Sequence, residues 1–205
     1  MIGRLKQLLA RFARQEEGAA AVEFALITPF LLTLYFGSME ASVLFTADKR
    51  INTISATMGD LISQWEPNDG KIPTATLNTY FGAGPNILTP YSSNVLKQVV
   101  SLVYVASDGT TKVLWSQANG TGASARTVNQ QFSPLTASMT TNVIARGGCI
   151  VAAESSYSYE PLFGQVFSAH YNLSHINYFI PRYGATGVIN LQTTILSSTA
   201  CTTGS

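Results

Sequence analysis

The sequence predicts an α+β fold: one long N-terminal transmembrane and amphipathic helix packed on a small antiparallel β-sheet domain. Three observations predict it. A nearly uncharged run, Ala19 to Phe36, follows a basic N-terminus. An apolar stripe at three- and four-residue spacing continues from there to Ile62. Beyond it lie short segments rich in Val, Leu and Tyr, punctuated by Gly, Pro, Asn and Asp. The 205 residues suit one membrane segment and one ordinary domain.

The run AAAVEFALITPFLLTLYF carries one charge, Glu23, and is about the length that spans a bilayer core. Arg4, Lys6, Arg11 and Arg14 precede it, and the next basic residue is Lys49. Positive charge is retained on the cytoplasmic side, so this asymmetry puts the N-terminus inside and the remainder outside. A buried soluble helix accounts for the apolar run but not for the asymmetry.

Helical periodicity continues through Met39, Val43, Leu44, Ala47, Ile51, Ile54, Met58, Leu61 and Ile62. A helix from Ala19 to Ile62 is roughly 65 Å long at 1.5 Å per residue, against a hydrocarbon core of about 30 Å. Its second half therefore leaves the membrane, with the apolar stripe turned to a domain. Pro29 removes one helical hydrogen bond and is a potential kink.

Trp65-Glu66-Pro67-Asn68-Asp69-Gly70 ends the helix. Thr74 is placed to cap a short helix through Tyr80, with Gly82, Gly84 and Pro85 as its stop. Gln98–Val105 and Thr111–Ser116 flank the turn Ser107-Asp108-Gly109-Thr110, which predicts a hairpin. The polar stretch from Asn119 to Gln131 reads as a surface loop. Cys149–Tyr159, Leu173–Ile180 and Gly187–Leu196 are further extended segments.

Charged residues form 11% of the chain, against roughly 25% in a typical soluble domain. With many Ser, Thr, Asn and Tyr, this suggests an exported, weakly charged surface. The net charge of +1 gives no global basic field, so no nucleic-acid partner is expected. Cys149 and Cys201 lack zinc-site spacing. In an exported domain they predict one disulfide; in a reducing compartment they are two thiols.

The junction Glu16-Glu17-Gly18-Ala19-Ala20-Ala21-Val22-Glu23-Phe24 is the informative stretch. An ordinary secretory signal is cut after its apolar region. Here the basic region ends at Gly18 and the apolar region follows. A cut after Gly18 removes the charges and keeps the hydrophobic helix. A Gly, four residues, then Glu and an aromatic resembles the processing site of type IV pilin-like precursors. The string GAAAVEFALITPFLL looks like the TadE-like proteins of Tad (Flp-type) pilus systems. Tyr157-Ser158-Tyr159-Glu160-Pro161-Leu162-Phe163 and Ile180-Pro181-Arg182 look like further elements of that family.

The resemblance implies a pilin-like minor pilin or pseudopilin, cut by an aspartyl prepilin peptidase between Gly18 and Ala19. It implies a cytoplasmic leader over 1–18, a transmembrane helix over 19–37, its periplasmic continuation over 38–63, and a periplasmic α+β domain over 64–205. The expected location is the inner membrane, single-pass, with passage into a surface-exposed pilus. The expected partners are the peptidase, another minor pilin, the major pilin, the inner-membrane platform and the lipid bilayer. No cofactor or metal is expected.

A carboxylate inside a spanning helix costs roughly 2.5–3.5 kcal/mol on insertion scales, so Glu23 calls for a partner or a role. After cleavage, the free amine of Ala19 on a neighbouring subunit can pair with it; the resemblance implies that Phe24 belongs to the same assembly segment, while by itself an aromatic here is lipid-facing or packed. The alternative is a Glu23 that is hydrated among headgroups and idle. Ala19, Ala20, Ala21 and Ala25 allow close helix approach.

Catalytic patterns are absent from the sequence. His170 and His175 share neither a helix nor a strand face and match no ligand motif. No GxSxG occurs, and Gly147-Gly148 lacks the Lys-Ser/Thr of a phosphate loop. A non-enzymatic assembly protein is therefore expected. The competing expectations are an uncleaved single-pass component of the same secretion machine and a membrane-tethered adhesin or binding module.

Overall fold

The computed structural model describes residues 17–65, 71–142, 148–161, 170–182 and 190–191. The expected leader up to residue 16, the turn cluster 66–70, Leu162 and Phe163, and Cys201 lie outside the described residues, as does most of Gly187–Leu196. The described residues up to Leu44 form one compact unit, and those from Phe45 onward form another.

Helix α1, Glu17–Ser63, contributes to both units. In the first, Val22, Phe24, Leu26, Ile27 and Phe30 are exposed. Its polar side chains are satisfied locally. Thr28 donates its hydroxyl to the Phe24 carbonyl at 2.6 Å, Thr33 to Pro29 at 2.8 Å, and Ser38 to Tyr35 at 2.8 Å. Such back-bonding leaves no hydroxyl seeking water, which a bilayer core lacks. The helix continues through Pro29. It is long and apolar enough to cross a membrane, with a mean hydropathy of 1.8 in its apolar window and no buried residue there.

In the second unit, Ala47, Ile51, Ile54, Met58 and Ile62 are fully or almost fully buried. Their spacing keeps them on one helix face. This buried stripe is shorter than the expected Met39–Ile62, since Met39 is 45% exposed.

The main sheet holds β2 (Lys97–Val105), β3 (Thr111–Asn119), β4 (Gly148–Tyr159) and β5 (Tyr171–Phe179). Its order is β3-β2-β4-β5, antiparallel throughout. The β2–β3 turn forms as its sequence dictates. Asp108 accepts from the backbone N–H and hydroxyl of Thr110 at 2.8 and 2.7 Å, and Gly109 takes φ +86°. A separate parallel pair joins β1 (Lys71–Ile72) to β6 (Asn190–Leu191), so the sheet content is not wholly antiparallel.

Two short helices precede β2: α2 (Thr74–Phe81) and α3 (Ala83–Leu88). Two expectations are corrected here. Pro73, not Thr74, occupies the N-cap of α2, and its carbonyl accepts from Leu77. Gly82 separates the helices, but Gly84 and Pro85 lie inside α3 rather than stopping a helix. Proline in a first turn sacrifices only an N–H that has no helical acceptor. A last short helix, α4, spans Ala137–Asn142.

Strand alternation divides the core in two. Val100, Leu102, Trp115, Val151 and Ala153 cluster with Met58 and Ile62 of α1. Val103, Val105, Val113, Ile150 and Ala152 cluster instead with Phe132 and Leu135. The stretch from Asn119 to Gln131 is the expected surface loop, and it leads into a strap whose Phe132 is fully buried on the second sheet face. The strap is pinned by Val113, whose N–H donates to Gln130 and whose carbonyl accepts from Asn129. Thr111 exchanges hydrogen bonds with Phe132. A bulge makes this possible. Leu102 faces Trp115 while Val103 faces Val113, so Leu114 is the extra residue.

Candidate processing and assembly segment

Gly18, Ala19, Glu23 and Phe24 all sit in the opening turns of α1. Ala19 and Glu23 are four residues apart and therefore share a helix face. Glu23 is exposed, and Phe24 is 68% exposed. Among the described residues, Glu23 has no hydrogen-bond or ion-pair partner. Glu40 differs: it is nearly buried, at 8% exposure. A Cβ added at Gly18 would meet nothing within 4 Å. The fold itself therefore does not require glycine there.

The outer half of α1 is held by a polar seam that sequence periodicity did not reveal. Alternate residues of β5 meet successive turns of the helix. His175 Nε2 lies 2.7 Å from Asp48 Oδ1. Asn177 Nδ2 donates to Asn52 Oδ1 at 2.9 Å and to Ser55 Oγ at 2.8 Å. Phe179 closes over Gly59, where a Cβ would overlap its ring. Two residues of strand advance about 6.7 Å and four of helix about 6 Å, so the two periods stay in step. His175, which matches no ligand motif in the sequence, is a member of this seam.

The C-terminal motif residues also acquire positions. Arg182 donates its Nη2 to Asp60 Oδ1 at 2.5 Å, and its backbone N–H to the Ser63 carbonyl at 2.8 Å. It thus fastens the chain to the last turns of α1. Tyr157 and Tyr159 are buried, and Tyr159 meets Tyr91 edge-on at 6.4 Å between ring centres. Burial, with Glu160 and Tyr91 nearby, holds the Tyr157 hydroxyl above the usual tyrosine range. These two tyrosines are core residues in place. Cys149 is buried at the start of β4, opposite Tyr104.

On the second sheet face Arg126 clasps Glu154 through two hydrogen bonds, Nε–Oε1 at 2.8 Å and Nη2–Oε2 at 2.5 Å. Its guanidinium also stands 5.0 Å from the Phe132 ring centre. The Glu154 hydrogen bonds raise the Arg126 pKa further, against the opposing effect of burial. Neither residue was singled out in the sequence. Arg126 lies in a polar stretch with no motif, and its partner is 28 residues away.

No curated protein and no solved structure gives a significant match to the chain. Residues 18–56 match the family model of TadE-like proteins. That segment begins at Gly18 and runs into the sheet-covered half of α1, and over it the chain is similar to TadE-like proteins.

Proposed function

We propose that the protein is a minor pilin or pseudopilin of a Tad-type pilus, acting in initiation, priming or capping. The match of residues 18–56 to TadE-like proteins supports an association with the pilus machinery, and the long apolar helix supports one with the membrane. The observation that carries the finer reading is the bare apolar stretch of α1 that follows Gly18 and holds one carboxylate, Glu23, without a partner among the described residues. In this reading a prepilin peptidase cuts between Gly18 and Ala19. The basic leader stays in the cytoplasm, and the new amine meets Glu23 of an adjacent subunit. Charge pairing in a low-dielectric surrounding offsets the insertion cost of the carboxylate and fixes the axial offset of neighbouring helices.

The folded unit from Phe45 onward is then the exported part, with Cys149 and Cys201 as a disulfide. Its partners are other minor pilins, the major pilin and the inner-membrane platform. Its role is binding and assembly, not catalysis.

Replacing Glu23 with Ala in the producing cell tests this. The expected result is a stable, cleaved protein with few or no pili. Normal piliation would refute the proposed pairing.

A further inference from the structure

The outer sheet face changes character along its strands. Near the strap it is apolar and covered by Phe132 and Leu135. Toward the other end it opens into a cleft of about 510 Å³, within the range of small-ligand sites, in which polar side chains stand beside the apolar surface of Val95, Tyr157 and Leu173. The register explains its lining. Lys97, Ser156 and Ser174 are direct neighbours across β2, β4 and β5, and Ser158 faces Asn172 in the next row. Strand alternation puts these five side chains on one face.

The five lie toward one end of the sheet: Lys97 opens β2, Ser156 and Ser158 lie near the end of β4, and Asn172 and Ser174 lie near the start of β5. Elsewhere on this face the serines are satisfied internally: Ser101 donates to Ser116 at 2.9 Å, and Ser116 accepts from the Arg126 N–H at 3.0 Å. In the cleft, Lys97, Ser156, Ser158, Asn172 and Ser174 have no hydrogen-bond or ion-pair partner among the described residues. Among the described residues no acidic side chain lines the cleft. The wall beside Lys97 is built close. Gly120, at φ +107°, packs against the Leu96 carbonyl so tightly that any Cβ would collide with it. At Gly122, φ +71°, a Cβ would lie 3.7 Å from the Lys97 amine.

One ammonium group beside the Ser156, Ser158 and Ser174 hydroxyls and the Asn172 amide, with Asn94 and Thr121 also lining the cleft and no carboxylate there among the described residues, matches an anionic polyhydroxylated ligand. We propose that this cleft binds an acidic saccharide, with a uronate-type carboxylate on Lys97 and sugar hydroxyls on Ser156, Ser158, Asn172 and Ser174. The hydroxyls and the amide both donate and accept, as sugar hydroxyls do. The charged contact sets the preference for acidic over neutral sugar. The site uses no residue of α1, so its failure leaves the assembly reading untouched.

The test is calorimetric titration of the full chain in detergent micelles with a galacturonic acid tetrasaccharide. Maltotetraose is the neutral control and tetraglutamate the non-saccharide anion. Saturable binding of the acidic sugar is expected, with both controls weaker by about tenfold, the value of one good charge-assisted contact. Lys97→Gln should weaken the acidic sugar by a similar factor, and Ser156→Ala, which leaves the strand intact, should weaken it less. Absence of saturable binding, equal binding of tetraglutamate, or an unchanged Lys97→Gln variant with wild-type melting temperature would each overturn the proposal.

Discussion

Ser155, on β4, donates its hydroxyl to the Ile51 carbonyl of α1 at 2.6 Å, in a fully buried contact. It ties the central sheet to the helix at the midpoint of the buried stripe. The Ser155→Ala variant should lose about 1 kcal/mol, the usual net worth of one internal hydrogen bond. Met58→Ala, which empties part of the same layer, should lose about 2–5 kcal/mol. Denaturation of the detergent-solubilised chain, followed through Trp65 and Trp115 fluorescence, measures both. Equal losses would contradict the packing described.

Arg126 and Glu154 should couple. Their side chains are 32% and 16% exposed, so solvent weakens the pair without abolishing it. Arg126→Met and Glu154→Gln should each cost about 1–2 kcal/mol, less than the 3–5 kcal/mol of a fully buried pair. A double-mutant cycle should show a coupling of about 1 kcal/mol. Hydrogen exchange should rise over 119–135 in both variants. Additive losses would mean that the clasp does not hold the strap.

Alkaline pH should loosen the second sheet face first. The Tyr178 hydroxyl is held above the usual tyrosine range by burial and by the nearby Glu154 charge, against the opposing effect of Arg126. Its folded-state pKa is raised, so the folded chain keeps a proton that the unfolded chain gives up. Stability is therefore complete below the ordinary tyrosine value of about 10 and falls as pH rises from there through the folded value. Tyr157 adds a contribution of the same sign. Tyr178→Phe should flatten the decline in melting temperature above about pH 10. An unaltered slope would assign the alkaline loss elsewhere.

The proposed Cys149–Cys201 disulfide predicts a redox-dependent domain. Non-reducing peptide mapping of exported protein should recover the two cysteines in one linked peptide. Cys201→Ser should lower stability by roughly 3–4 kcal/mol, the chain-entropy value for a loop of this length. Recovery of two free thiols would remove the disulfide from the account.

Local signals made much of this molecule legible. The stripe Ala47–Ile62, the Asp108-Gly109 hairpin and the alternation of Cys149–Tyr159 depend on neighbours in the chain, and periodicity reports those. The polar seam from Asp48 to Asn177 was not legible, because its hydrogen bonds join residues more than a hundred positions apart. The strap was missed for a related reason. Phe132 and Leu135 follow a polar stretch with no strand or helix period, and their burial depends on a bulge at Leu114 that no local pattern announces. At the assembly segment the position was reversed: Gly18, Ala19, Glu23 and Phe24 were legible because charge placement and motif carry their meaning. The helix adds that Ala19, Glu23 and Phe24 are exposed and that Glu23 is without a partner among the described residues.

The role of that segment is tested most directly at the mature N-terminus. Intact-mass and N-terminal peptide mass spectrometry should be run on protein from cells with an active prepilin peptidase, beside a Gly18→Leu variant. Because a Cβ at Gly18 meets nothing within 4 Å among the described residues, the variant reports on the protease rather than on folding. The account predicts a wild-type chain that begins at Ala19 and a Gly18→Leu chain that keeps its leader. A wild-type chain that begins at Met1, or a variant trimmed as completely as wild type, would contradict it.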